Sequence, residues 1–225
     1  MSKQKKQSLI ATLLIILLIV IDQIIKVVVK LNMNLGESIY IFDWFQIQFI
    51  ENNGMAWGME LGSKLFLSIF RIVAIGFLIW YISNRIKHGA RMAYIVVLSM
   101  ITAGAAGNIF DSLFYGQLFT ASTPYYIEGA TPATLVSWGE GYAPVLMGKV
   151  VDMFYFPLFH GTFPDWFPLW GGESFTFFSP IFNFADSCIS VGVITIILAF
   201  RKDFNGWVPA KDKKVADKEN ITDNQ

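Results

Sequence analysis

Apolar positions along the chain gather into four long runs, separated by polar or mixed stretches. A helix needs about 20 mostly apolar residues to cross a hydrocarbon core of about 30 Å, because each residue rises about 1.5 Å. Leu9 to Leu31, Leu65 to Ser83, Met92 to Tyr115 and Pro180 to Phe200 meet that length. The pattern predicts a mainly α membrane protein with four transmembrane helices, at about 9–31, 65–83, 92–115 and 180–200. The connections 32–64 and 116–179 then lie on one side as outer loops. In the first, the run IYIFDWFQIQFI from Ile39 to Ile50 is rich in β-formers and alternates around Gln46 and Gln48, which predicts a small extracytoplasmic β element of one or two strands. The second is a long extracytoplasmic loop with six prolines and the tryptophans Trp138, Trp166 and Trp170, side chains that favour a membrane headgroup layer. Residues 1–203 are expected to form one membrane domain. Residues 204–225 read as a polar, disordered tail.

Charge sets the orientation. Lys3, Lys5 and Lys6 precede the first run, Arg85, Lys87 and Arg91 lie between the second and third, and Arg201, Lys202, Lys211, Lys213, Lys214 and Lys218 follow the fourth. The outer connections carry mostly Asp and Glu. Cytoplasmic segments are rich in Lys and Arg, so both termini are expected in the cytoplasm. A basic start before an apolar run also suits a cleaved signal peptide. No small-residue cleavage site follows, however, and the apolar pattern continues past Asp22 as IIKVVVKL, which favours an uncleaved first span.

Composition narrows the chemistry. The chain has 225 residues, 54% hydrophobic and 15% charged, with 17 Lys and Arg balancing 17 Asp and Glu. Soluble domains run at about 25% charged, so lipid is the main solvent, and nothing points to nucleic acid. One cysteine, Cys188, excludes an intrachain disulfide and reads as a small packing residue. With only His88 and His160, no metal ligand set is evident and no cofactor is expected. His160, among apolar outer residues, reads as structural.

Ionisable residues inside the runs are costly in lipid and are functional candidates by default. Asp22 lies about 20 Å along the first run and Lys26 one turn further on the same face. Arg71 lies about 9 Å into the second, Asp111 about 28 Å along the third, and Asp186 near the start of the fourth. With alternating directions, all five share the outer half of the bilayer. Asp22 and Lys26 also suit a local ion pair. Asn108-x-x-Asp111 and Asn183-x-x-Asp186 repeat one device, with an amide expected beside each carboxylate. Asp152, in a short apolar stretch after the long loop, reads as returning to the membrane surface. Two carboxylates brought together share one proton and supply a base and an acid for amide hydrolysis. A proton-coupled transporter or channel subunit would bury carboxylates too, but a relay would spread them across both leaflets.

These segments together resemble the lipoprotein signal peptidase (signal peptidase II) family. Asp22-Gln23-Ile24-Ile25-Lys26 is similar to its D-Q-x-x-K motif, and Asn52-Asn53-Gly54-Met55-Ala56-Trp57-Gly58 to its N-x-G-x-A-aromatic-G motif. Gly107-Asn108-Ile109-Phe110-Asp111 resembles G-N-x-x-D, Val150-Val151-Asp152 resembles V-V-D, and Phe182-Asn183-Phe184-Ala185-Asp186-Ser187 resembles F-N-x-A-D-S. The resemblance implies a bacterial inner-membrane aspartic endopeptidase, with Asp152 and Asp186 catalytic and the active site near the outer leaflet. Asp22, Lys26, Asn52, Gly54, Asn108, Asp111 and Asn183 would position the site or bind substrate. The implied substrate is a prolipoprotein with a diacylglyceryl-modified cysteine, cleaved just before that cysteine by a monomer in contact with membrane lipid. The chain departs from the pattern twice. Ser112 stands where the family usually has Arg, with Arg71 a candidate to substitute. In addition, 40 residues separate Asp111 from Asp152 where the family has a short stretch. That insertion is expected as a lid, a partner surface or a surface loop dispensable to the membrane core.

Overall fold

A computed structural model describes residues 1–52 and 61–205. Helix α1 spans Lys3–Asn32, α2 Leu61–Lys87 and α3 Met92–Leu118; these three are long and apolar enough to cross a membrane. Helix α4, Phe184–Ala199, is apolar but has 16 residues, so it rises only about 24 Å. A short α5, Arg201–Asn205, follows. The fourth run thus starts later than its hydropathy suggests. Ile181–Phe182 is spent on a strand, and Asn183 caps the helix.

Helix α3 is the central element and packs on α1, α2 and α4. Small residues allow the close approach. A Cβ at Gly104 would stand 2.3 Å from the Ala185 carbonyl oxygen, and one at Gly107 would stand 2.7 Å from the Asp22 carboxylate. Opposite ends of α1 join different cores. Ala11 packs with Tyr81, Ile82, Tyr94 and Phe200, whereas Val29 and Met33 pack with Phe49, Tyr115, Val151 and Met153. The lipid-facing sides of α1, α2 and α4 expose Leu, Ile, Val and Phe, as a hydrocarbon solvent permits.

Strands β1 (Ser38–Phe42), β2 (Phe45–Asn52), β3 (Val150–Tyr155) and β6 (Ile181–Phe182) form an antiparallel sheet in the order β1-β2-β3-β6. The expected β element is therefore half of a larger sheet, whose other strands come from the second connection. Register places Ile50 opposite Asp152 and Phe154 opposite Phe182, with an irregularity between Ile47 and Ile50. Such a bulge re-aims neighbouring side chains, and Asp152 lies beside it. Strands β4 (Phe159–Thr162) and β5 (Ser174–Phe177) form a separate hairpin.

The insertion between Asp111 and Asp152 is irregular but anchored. Leu35 pairs with Pro124, and Phe119, buried at 2% exposure, pairs with Leu135. A Cβ at Gly148 would stand 2.2 Å from the Asp111 carbonyl, and one at Gly141 would stand 2.1 Å from that of Gly116. The segment packs closely against the helix ends. Turn-rich composition says nothing of where the turns dock.

Candidate active site

Lys26, fully buried, lies between two carboxylates, 2.9 Å from Asp22 and 2.8 Å from Asp111. The Asp22–Lys26 pair that helical spacing suggests is real but incomplete, because Asp111 arrives from α3. A buried ammonium needs such compensation, since one carboxylate leaves donors unpaired in a low dielectric. The third donor goes to Asn108 Oδ1 at 2.9 Å.

Each acid also accepts from donors other than Lys26. Asp22 accepts from the Ala185 N–H (2.9 Å), tying α1 to the first turn of α4, and from Gln23 Nε2 (3.1 Å). Asp111, fully buried, accepts from Gln23 Nε2 (2.8 Å) and from the Val151 N–H (3.2 Å). That last bond fixes β3 one residue before Asp152. Tyr115 completes the set by donating to Gln23 Oε1 at 3.0 Å.

The two Asn-x-x-Asp segments take different forms. Asn108 and Asp111 lie mid-helix in α3. Asn183 is the N-cap of α4, its side-chain oxygen accepting from the Asp186 N–H at 2.9 Å. That leaves Asp186 in the first turn, where the helix dipole favours a negative charge. The amides do not serve the carboxylate three residues on, as the spacing suggests. Asn108 Nδ2 donates to Asp186 at 2.7 Å, and Asn183 Nδ2 donates to Asp152 at 2.6 Å. Capping explains the exchange: the oxygen of Asn183 is committed to its own helix, so its NH2 turns toward β3. That NH2 also lies within reach of Asn108 Oδ1 (3.0 Å) and the Val151 carbonyl (3.3 Å).

Asp152 and Asp186 are thus joined through the two amides, Asp152 to Asn183, Asn183 to Asn108 and Asn108 to Asp186. Asp152 is 4% exposed and Asp186 half-buried. Burial, then the neighbouring charge of Asp186, pushes the Asp152 carboxyl up to about 7, against the opposing pull of Asn183, Asn52 and Lys26. One carboxyl that keeps its proton near neutrality beside a second carboxylate is an arrangement suited to acid–base work. Asn52, at the end of β2, hydrogen-bonds Asp152. Gly54 and the rest of its motif lie outside the described residues. No cluster of three or more metal-ligating side chains occurs among the described residues.

From Asp186 a groove of about 730 Å³ runs along Ser187, Ser190 and Val191 of α4 and the rings of Phe45, Phe154, Phe156 and Phe182. Its walls are overwhelmingly apolar.

A neighbouring buried cluster escaped sequence reading. Lys30, fully buried, binds Glu51 at 2.5 Å and Ser122 at 2.9 Å, while Lys149 reaches Glu51 at 3.1 Å. Burial works to raise the Glu51 carboxyl, but Lys30, helped by Ser122 and Lys149, holds it below its ordinary range. The available signal was spacing: Lys30 lies one turn beyond Lys26, on the same face as Asp22.

This architecture has solved counterparts. A bacterial membrane enzyme determined by the in meso method at 1.9 Å aligns with a TM-score of 0.57 and 26% identity, over 86% of this chain and 93% of that one. A second, at 2.3 Å, aligns with a TM-score of 0.55 and 25% identity, over 88% and 92%. The fold is therefore that of a membrane enzyme. Residues 14–202 match the family described as signal peptidase (SPase) II, and the chain belongs to that family. It is 51% identical to the lipoprotein signal peptidase of Porphyromonas gingivalis over 195 residues, 86% of this chain and 84% of the relative. The lipoprotein signal peptidase of Amoebophilus asiaticus is 37% identical over 185 residues, 79% and 72% of the two chains. The resemblance carried by the sequence motifs is borne out.

Proposed function

We propose that the chain is an intramembrane aspartic endopeptidase that removes signal peptides from prolipoproteins, cleaving before a diacylglyceryl-modified cysteine, with Asp152 and Asp186 as its catalytic pair. The observation that carries this reading is the placement of both carboxylates in one amide network, Asp152 held by Asn183 and Asp186 by Asn108, with Asp186 lining an apolar groove. Lipid attached to the substrate cysteine finds in that groove the aromatic walls that acyl chains favour.

Chemically, Asp186 enters as the ionised member and Asp152 as the protonated one. Asp186 takes a proton from a water whose oxygen attacks the scissile carbonyl carbon, and Asp152 gives its proton to the carbonyl oxygen. In the collapse, Asp186 passes its proton to the departing nitrogen, a hydroxyl of the tetrahedral species returns a proton to Asp152, and the C–N bond breaks. Asp22, Lys26, Asn108, Asp111 and Asn183 hold the pair in place; the bonds that Asp111 accepts from Lys26, Gln23 and the Val151 N–H support a positioning role. The helices α1 to α4 supply four crossings, with both termini cytoplasmic and the site near the outer leaflet of a bacterial inner membrane, and the enzyme acts as a monomer without metal or cofactor.

The test is turnover of a diacylglyceryl-modified peptide by wild type, Asp152→Asn, Asp186→Asn and the double variant, each with and without EDTA. Each single change is expected to lower turnover by a factor on the order of 10³ or more, with the double variant little worse, because residues acting as a unit are non-additive. Full activity in either single variant removes that residue from the pair. EDTA inhibition reversed by added metal overturns the aspartic mechanism.

A further inference from the structure

Helix α4 is apolar along most of its length, yet three polar side chains fall on the wall it gives to the groove: Asp186, Ser187 and Ser190. Asp186 and Ser190 are four residues apart, so they stand on one face, separated by about 6 Å along the helix axis. The groove continues past Ser190 to Val191, which is 52% exposed on the lipid-facing side. A chain anchored in the bilayer can therefore enter it sideways.

The three side chains are committed to different degrees. Asp186 accepts from Asn108 at 2.7 Å, and Ser187 Oγ donates to the Asn183 carbonyl at 3.1 Å. Donation to the carbonyl four residues back is how a hydroxyl on a helix satisfies itself in hydrocarbon, and Ser83, Ser99, Thr102, Ser112 and Thr195 do the same. Ser190 does not use the corresponding carbonyl of Asp186. Its hydroxyl bonds no group among the described residues, and the residue is exposed in the groove. Ser190 is thus the wall residue with a hydroxyl proton to offer a ligand.

We propose that Ser190 is a specificity residue of the groove, donating its hydroxyl proton to an ester carbonyl of the diacylglyceryl group on the substrate cysteine. This rests on the reading of Asp152 and Asp186 as the catalytic pair. Substrate dimensions suit the spacing. From the scissile nitrogen the path runs through the cysteine Cα, Cβ and sulfur, two glyceryl carbons and the ester oxygen to the carbonyl carbon, about 9 Å when extended. With the scissile bond at Asp186, a site one helical turn away lies within that reach. The acyl tails beyond the esters carry no polar group and suit the rings of Phe45, Phe154 and Phe156. An ester carbonyl drawn into an apolar groove loses its water partners, and a donor at Ser190 replaces one of them.

The experiment compares purified full-length wild type, Ser190→Ala, Ser190→Thr and Asp186→Asn on one peptide in two forms. Its cysteine carries either a dipalmitoylglyceryl group or the dihexadecyl ether counterpart, which has the same chains without ester carbonyls. Wild type is expected to favour the diester in kcat/KM by about 3- to 10-fold, the worth of one neutral hydrogen bond. Ser190→Ala should bring that ratio close to one, chiefly through KM, and Ser190→Thr, which keeps the hydroxyl, should retain it. A hydroxyl that only supports α4 would change turnover of both substrates together and leave the ratio alone. A Ser190→Ala ratio equal to that of wild type, with Asp186→Asn inactive on both substrates, overturns the proposal and leaves the pair standing. Wild-type turnover in Asp186→Asn removes the pair itself, and with it the reading on which the proposal rests.

Discussion

The two connecting stretches that flank Asp152 behave in opposite ways. The stretch 119–149 is irregular, yet it is bound to its surroundings by backbone bonds from Leu35, Gly116 and Ser112, by tight glycine contacts and by the buried Lys30–Glu51–Ser122–Lys149 cluster. The stretch 158–177 forms a regular hairpin, and among the described residues its backbone bonds run between its own two arms. Its rings stack internally, Phe159 on Phe177 at 4.6 Å and Phe163 on Phe175 at 4.6 Å, while Trp166 and Leu169 stand 78% and 89% exposed at its tip. Regular secondary structure is therefore no guide to integration. What integrates a segment is where its polar and small residues find partners.

The sharpest way to break this contrast is Glu51→Gln. Lys30 would then be a fully buried ammonium without its carboxylate, and removing one partner of a buried pair costs about 3–5 kcal/mol. Folded yield and thermal unfolding in detergent should fall sharply; an unaltered midpoint would show that the clamp is not energetically coupled to the core. Next comes Gly148→Ala. The new Cβ would meet the Asp111 carbonyl at 2.2 Å, so backbone must move, at about 1–3 kcal/mol. Because Asp111 binds the Val151 N–H, turnover should drop with stability. Stability loss with wild-type kcat would separate the clamp from the site.

Glu51 and Asp152, on adjacent strands, should respond to pH in opposite directions. Asp152 keeps its proton up to about 7 when folded and to near 4 when unfolded, so folding takes up a proton between those values. Its contribution is complete at low pH and is lost as pH rises through about 7. The Glu51 carboxyl is depressed, so its contribution is present above the ordinary Glu range near 4.5 and is lost as pH falls below it. Unfolding midpoints should therefore be highest near the ordinary carboxylate range at about 4.5 and fall from there through about 7, and Asp152→Asn should flatten the alkaline side only. The smallest effect belongs to the hairpin tip: Trp166→Ser with Leu169→Ser should shift unfolding by no more than about 0.5 kcal/mol. A larger loss would mean that the hairpin is as integrated as the clamp.

Much of the candidate site was legible in the sequence. Asp22, Lys26, Asn108, Asp111, Asn183, Asp152 and Asp186 were all named from motif and depth, and all lie in one hydrogen-bonded network. Less legible was who bonds whom. Asn108 and Asn183 serve acids on other elements, and Lys26 serves two carboxylates, one of them on another helix. The strand pairing of Val150–Tyr155 and the shortened α4 were missed because apolar composition is shared by buried strands and spanning helices.

Local sequence determined three things about this protein: which segments seek hydrocarbon, which charges they carry, and at what depth along each helix those charges lie. These follow from residue solvation and helical rise, properties of single segments. Only the tertiary structure decided the partners. A buried charge is indifferent to chain distance and binds whatever partner packing brings within about 3 Å, so Lys26 found Asp111, Glu51 found Lys30, and Asn183, while capping its own helix, gave its NH2 to Asp152.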